Sequence, residues 1–218
     1  GVPSDVAENA FVGGHGPEDG TVERRREAGV AGWIDGKDLS IGSLAGVWAT
    51  ENTRAGIWDA MKRRETFATS GPRIAVRFFG HVDLPGVPDD LRSMIETGYE
   101  LGVPMGGDLP PIGAAPTFTV HAAMDPEGAK LDRIQIIKGA LVGGDYEVQV
   151  YEVAGNPDNG ASVDLQTCER QGEGFGDLCA VWTDPDFDPT MMAVYYVRVL
   201  EIPTPRWSTY DAAKLGVE

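Results

Sequence analysis

The chain has 218 residues, room for one large or two small domains, and its 42% apolar content can build a core. Its net charge of −16, from 34 acidic and 18 basic residues, argues against a nucleic-acid partner, because phosphate contacts need Lys and Arg. No run approaches the 18 or so apolar residues of a membrane span, and no signal-peptide pattern is visible. The 29 Gly and 15 Pro favour a loop-rich fold over a helical bundle.

Residues 1–45 read as irregular, with turn-rich "GGHGPEDG" and "WIDGKDLSIGS". Between them "TVERRREAG" reads as a short helix capped by Thr21 and ended by Gly29. A stronger helix is expected over 53–64, capped by Asn52 or Thr53. Its stripe of Ile57, Trp58 and Met61 should be hidden against the body of the chain, and Lys62, Arg63 and Arg64 should sit in its last turn. "ETFATSGP" then makes a corner, and "RIAVRFF" alternates with Ile74, Val76 and Phe78 on one face.

A second helix is expected over 88–101, with Pro88 at its first position and Asp89 and Asp90 in its first turn. "GVPMGGDLPPIGAAP" is too rich in Gly and Pro for regular structure. From 116 onward the period is two. "TFTVHAAM", "DRIQIIKG", "YEVQVYEVA", "LCAVWTD" and "AVYYVRVLE" read as strands, separated by turn clusters such as "DPEG" and "GNPDNG". The fold expected is mainly β with minor α: an antiparallel β-sandwich preceded by irregular segments and one or two helices.

Candidate site residues are few. Glu51 and Arg54 cluster at a helix start, where an anion can be held, and Thr69 and Ser70 present hydroxyls at the corner. Asp184, Asp186 and Asp188 alternate as in the opening of a calcium loop, but Pro189 and Tyr195 stand where that loop needs glycine and glutamate. His15, His81 and His121 are each isolated, so a Ser–His–Asp triad has no support. Phosphate-loop and nucleophile-elbow patterns are absent, and no transition-metal ligand cluster or catalytic residue is expected in this chain. Cys168 and Cys179, with a polar, Gly-rich stretch between them, read as a disulfide, which would favour a periplasmic or extracellular location.

Four segments, "GVWATENTRAGIWDAMKRRETFATSGPRIAVRFFG", "GYELGVPMGGDLP", "LDRIQIIKG" and "VWTDPDFDPTMMAVYYVRVLEIPTPRWSTYD", resemble domain-of-unknown-function family 3604 over roughly residues 40–211. That family is related to the polymerase-and-histidinol-phosphatase (PHP) superfamily of metal-dependent hydrolases. The resemblance implies that residues 1–72 close a PHP-like barrel and residues 73–218 form a C-terminal β domain. It also implies a non-catalytic role beside a catalytic region carrying H-x-H and further metal ligands, none of which maps onto this sequence. The chain begins with Gly, as a processed chain or a fragment would. The partner expected is the absent catalytic region, where a divalent metal would sit, and self-association is a further possibility. A different class, a stand-alone carbohydrate-binding sandwich, would use Trp33, Trp182 and Trp207 as stacking platforms. A complete small enzyme lacks a constellation to support it.

Overall fold

The computed structural model describes residues 29–30, 34–35, 42–110 and 113–216. Two sheets dominate. One is four-stranded, in the order β12-β7-β5-β6, where β5 is Ala75–His81, β6 Val103–Pro104, β7 Thr117–Ala123 and β12 Asp177–Thr183. The other is three-stranded, in the order β13-β8-β9, where β8 is Leu131–Val142, β9 Asp145–Gly155 and β13 Ala193–Glu201. All their pairings are antiparallel. Three two-stranded pairs complete the β structure: β1 (Gly29–Val30) with β2 (Ile34–Asp35), β3 (Leu44–Val47) with β4 (Thr66–Thr69), and β10 (Ser162–Val163) with β11 (Arg170–Gln171).

The sandwich follows from period-two patterning. Ile74 and Phe78, with Phe118, Val120, Ala122 and Leu178, face Leu131, Ile134 and Ile136 across a shared core. Removing such side chains from water contributes about 1.5–3 kcal/mol each. Phe78 stacks on Phe118 at 5.2 Å, and Tyr195 of β13 closes on the same ring at 4.6 Å. The β8–β9 hairpin turns through Gly143 and Gly144, both at positive φ (61° and 100°), the backbone a tight primed turn needs.

Among the described residues three helices accompany the sheets. The first, α1, is Arg54–Lys62, and the Thr53 side chain caps it by accepting from the Gly56 N–H at 3.1 Å. It is shorter than the sequence suggested. Arg63 is its C-cap and Arg64 lies beyond it at φ 63°, so of the three basic residues only Lys62 occupies the last turn. The stripe is a larger correction: α1 buries Gly56 and Ala60, and Trp58 (58% exposed) and Met61 (45% exposed) face solvent. Small residues let the helix approach the body closely, and that turns its large residues outward.

The second helix, α2, is Leu91–Leu101. Asp90 is its N-cap rather than a first-turn residue. Its carboxylate accepts from the Ser93 N–H at 2.7 Å, and Ser93 Oγ accepts from the Asp90 N–H at 3.1 Å. Pro88 and Asp89 therefore precede the helix. α2 lies on the outer face of the four-stranded sheet, where Met94 is buried and Gly98 lets the helix sit directly on the Phe79 ring. The third helix, α3 (Trp207–Leu215), and strands β1, β2, β3, β4, β6, β10 and β11 were not expected from the sequence, which read residues 1–45 as irregular. Gly29 opens β1 rather than ending a helix, and the rest of the expected helix over 21–29 lies outside the described residues.

Among the described residues no helix covers the outer face of the three-stranded sheet. Tyr146, Val148 and Val150 of β9, Leu141 of β8, Met192 just before β13, and Val194 and Tyr196 within it are all largely exposed. The register places them side by side: Val150 opposite Ile137 and Tyr196, Val148 opposite Gly139 and Val194.

Candidate functional site: an interlayer cleft and a buried lysine–aspartate pair

A cleft of about 1290 Å³ opens along the edge of the sandwich. Its walls are β4 with the corner that follows, the inner residues of β5, the loop after β6, and the length of β13. Consecutive residues of β13 line it, as expected where a strand presents an edge rather than a face. Apolar side chains from Ile74, Val76, Phe78, Met105, Leu109, Val197 and Val199 make the walls, and Thr66, Thr69 and Ser70 add hydroxyls on one side.

The corner has a structural duty as well. Thr69 Oγ1 accepts from the Gly71 N–H at 3.2 Å, and Gly71 adopts φ 142°. Immediately after it the Arg73 N–H donates to Asp125 Oδ2 at 2.7 Å, and the Arg73 guanidinium reaches Asp125 and Glu127. Hydrogen bonds from the Arg73 and Glu127 backbone amides hold the Asp125 carboxyl below its usual range. Thr69 and Ser70 thus both turn the chain and line the cleft.

The other two candidates stand apart. Glu51 accepts from the Thr53 hydroxyl at 2.8 Å at the start of α1, and neither it nor Arg54 lines the cleft. One end of the cleft is instead built on Arg64. Its left-handed backbone packs directly on Gly106, itself at φ 82°, in a space where a Cβ would clash. Behind it the buried Glu65 accepts from Arg63 Nε and from the Tyr99 hydroxyl, both at 2.8 Å. Arg77 donates to Tyr99 at 3.0 Å and lies 3.4 Å from the centroid of Trp48. Trp48 Nε1–H in turn donates to the Val76 carbonyl at 2.8 Å. This chain of contacts ties the end of α1 to β5 and α2.

Beneath β13 lies the most enclosed ion pair among the described residues. Lys138 and Asp184 side chains are 3% and 0% exposed, and Nζ donates to Asp184 Oδ2 at 2.7 Å and to the Asp186 carbonyl at 2.6 Å. The Tyr195 hydroxyl donates to the same Oδ2 at 2.6 Å, and the Asp186 N–H to Oδ1 at 2.9 Å. Burial alone would raise the Asp184 carboxyl; the hydrogen bonds from Lys138, Tyr195 and the Asp186 amide outweigh it and keep the group ionised. Burial, then the neighbouring carboxylates, push the Tyr195 and Tyr151 phenols well above their ordinary value, so both remain donors. Tyr151 donates to Asp186 Oδ2 at 2.8 Å.

The three aspartates of the calcium reading each have a protein partner: Asp184 accepts from Lys138, Asp186 from Tyr151, and Asp188 from Thr190 at 2.6 Å. Among the described residues no three His, Cys, Asp or Glu side chains are grouped to hold a metal ion.

The disulfide is also corrected: Cys168 and Cys179 are both free. Cys179 belongs to β12, opposite His121, whereas Cys168 sits at φ 61° in the turn between β10 and β11 and donates its N–H to the Asp164 carbonyl at 2.8 Å. The two thiols are fixed to different sheets. His121 is half-buried with Nε2 3.9 Å from Asp177, and His81 is buried with Nε2 3.1 Å from Thr119 Oγ1; neither faces the cleft. Trp182 packs inward against Tyr151 (4.8 Å) and Phe118 (5.9 Å) rather than forming an exposed platform. Trp33 and His15 lie outside the described residues, as does the Trp207 side chain.

Sequence reasoning missed Lys138, although its signal was present: the alternation of "IQIIKG" puts Lys138 on the same face as Ile134 and Ile136. It also missed Glu201, at the end of β13 on the cleft. Burial raises this carboxyl, and its Oε1 accepts from the Ala129 N–H at 3.1 Å, pinning the β7–β8 loop.

The arrangement defines a β-sandwich with a helical cover on one sheet and an apolar cleft rimmed by hydroxyls. Its described lining has no histidine or cysteine, and its charged members are Arg64, Asp108, Arg198 and Glu201. The chain belongs to the family described as protein of unknown function (DUF3604), whose model matches residues 1–218. No curated protein and no solved structure matches the chain.

Proposed function

We propose that this chain is the β-rich, non-catalytic region of a larger metal-dependent hydrolase of the phosphoesterase kind, related to the PHP superfamily, and that α1 docks it to the catalytic barrel. The observation that supports this reading is the orientation of α1. It turns Trp58 and Met61 to solvent and buries only Gly56 and Ala60, while the Arg63–Glu65–Tyr99–Arg77–Trp48 chain of contacts holds its end rigidly on the sandwich. A fixed helix with exposed large apolar side chains is suited to packing against another folded unit. The divalent metal then belongs to the barrel, and the role of this chain is support and shaping of substrate access.

The test is to express the chain together with the protein encoded upstream of it, and to measure bound divalent metal and phosphomonoesterase activity. The expected result is a metal-loaded, active complex whose assembly is weakened at least tenfold by Trp58→Asp. An upstream region lacking an H-x-H motif, or a complex indifferent to Trp58→Asp, would refute the reading. The cleft supports a second reading, a ligand-binding module: an elongated, mostly apolar ligand with hydroxyl-bonding groups would suit its walls. Protection of Thr66–Ser70 amides from hydrogen exchange by such a ligand would favour it.

A further inference from the structure

The two faces of the sandwich are treated differently. α2 covers the outer side of the four-stranded sheet, but the outer side of the three-stranded sheet is bare, with Met192 76%, Tyr146 59% and Val194 58% exposed. The bare face is flush. Ile137 is fully buried beneath its neighbours, and the Tyr146 phenol lies over Gly139, filling the space where a side chain would stand.

Its charges are gathered at one end. Gln135 donates to Glu152 at 2.6 Å, Arg133 Nε lies 3.5 Å from Glu152, and Arg198 reaches Gln135 at 3.4 Å. The rest of the face carries only Val, Leu, Ile, Met, Tyr and Gly. On a chain of net charge −16, this is a surface that an identical chain can approach without placing carboxylate against carboxylate.

We propose that this face is a homodimer interface, with the three-stranded sheets of two copies packed face to face about a two-fold axis. The area fits. The exposed apolar side chains offer on the order of 700 Å², close to the roughly 800 Å² per partner that a stable interface buries. The composition fits as well, because homodimer interfaces are more apolar than transient ones and gain most from aromatic anchors such as Tyr146 and Tyr196. A uniform flat face is complementary to itself, as an isologous contact requires, and sheets stack in this way about 10 Å apart.

The experiment is sedimentation velocity on the 218-residue chain from nanomolar to high micromolar concentration. The expected result is a concentration-dependent dimer. Val148→Asp combined with Val194→Asp should weaken it by more than about a hundredfold, since carboxylates would face carboxylates across the interface. Both positions are exposed, so the monomer should keep its fold, checked by circular dichroism. If that variant is unfolded, the milder Val148→Thr with Val194→Thr should weaken the dimer measurably. Trp58→Asp, on α1, should leave it intact. A wild-type chain monomeric throughout, a dimer that survives in the folded sheet variants, or a dimer lost only with Trp58→Asp overturns the proposal.

Discussion

Asp184→Ala should be among the most damaging single changes in this chain. The Asp184 carboxylate accepts three hydrogen bonds, from Lys138, Tyr195 and the Asp186 amide. Removing it leaves the Lys138 ammonium, 3% exposed, with the Asp186 carbonyl as its named remaining acceptor, and leaves the Tyr195 hydroxyl without its partner. Breaking a buried pair in this way costs about 3–5 kcal/mol, most of it the penalty of an uncompensated buried charge. At a urea slope near 2 kcal/mol/M, the unfolding midpoint should fall by about 2 M.

Lys138→Met should cost a similar amount, because it strands the carboxylate instead. The double variant Lys138→Met, Asp184→Leu removes both charges and should lose less than the sum of the singles, the residue of damage being about 1 kcal/mol for the orphaned Tyr195 hydroxyl. Urea unfolding followed by tryptophan fluorescence, on the wild type, Lys138→Met, Asp184→Leu and the double variant, gives all four corners of the cycle. A loss below about 1 kcal/mol for Asp184→Ala, or additive singles, would show that water reaches the pair and that its enclosure has been misread.

Three further outcomes are expected. Gly98→Ala should destabilise by about 1–3 kcal/mol despite the better helix propensity of alanine, because the new Cβ would stand about 2.5 Å from the Phe79 ring; thermal unfolding reads this directly. Burial lowers the His81 imidazole, and burial likewise lowers His121, so the folded chain binds fewer protons than the unfolded one below the ordinary value of 6.5; stability should be full above pH 6.5 and decline below it, and His81→Asn should flatten that decline in pH-dependent urea unfolding. Both thiols are free, so alkylation without reductant should add label to the exposed Cys179 first and then to Cys168, read by intact mass; a mass unchanged until reductant is added would restore the bridge.

The strands were legible because their period is unambiguous. "AVYYVRVLE" coincides with β13 residue for residue, and the Ile74, Val76, Phe78 face is the core face. The short pairs were not legible: β3–β4 rests on four cross-strand partners and a Phe67 ring packed over Gly46, a contact that local sequence cannot announce. The disulfide failed for a related reason. A Gly-rich loop can close in principle, but β12 commits Cys179 to a ladder with β7 while Asp164 and Glu169 form the turn that holds Cys168. Tertiary pairing overrode local flexibility.

The helix reading erred in its direction, and the error bears on function. Hydrophobic periodicity marks which residues share a face, and it correctly grouped Ile57, Trp58 and Met61; it cannot say which face meets the body. Here the fully buried Ala60 marks the inward face, while Gly56 fits against the Glu51 carbonyl of the segment leading into the helix, with no room for a Cβ. Close approach through small residues and outward display of large ones is a costly arrangement for a helix that ends its contacts there, since each exposed apolar side chain forgoes roughly 1.5–3 kcal/mol of burial. The same imbalance recurs on the outer face of the three-stranded sheet, with Val148, Val194 and Tyr196 in water while Ile137 beneath them is sealed. Two exposed apolar surfaces on one strongly acidic chain support the two proposed contacts. The two surfaces are separable by experiment: a charge at Trp58 tests the union with a catalytic barrel, and charges at Val148 and Val194 test the union with a second copy.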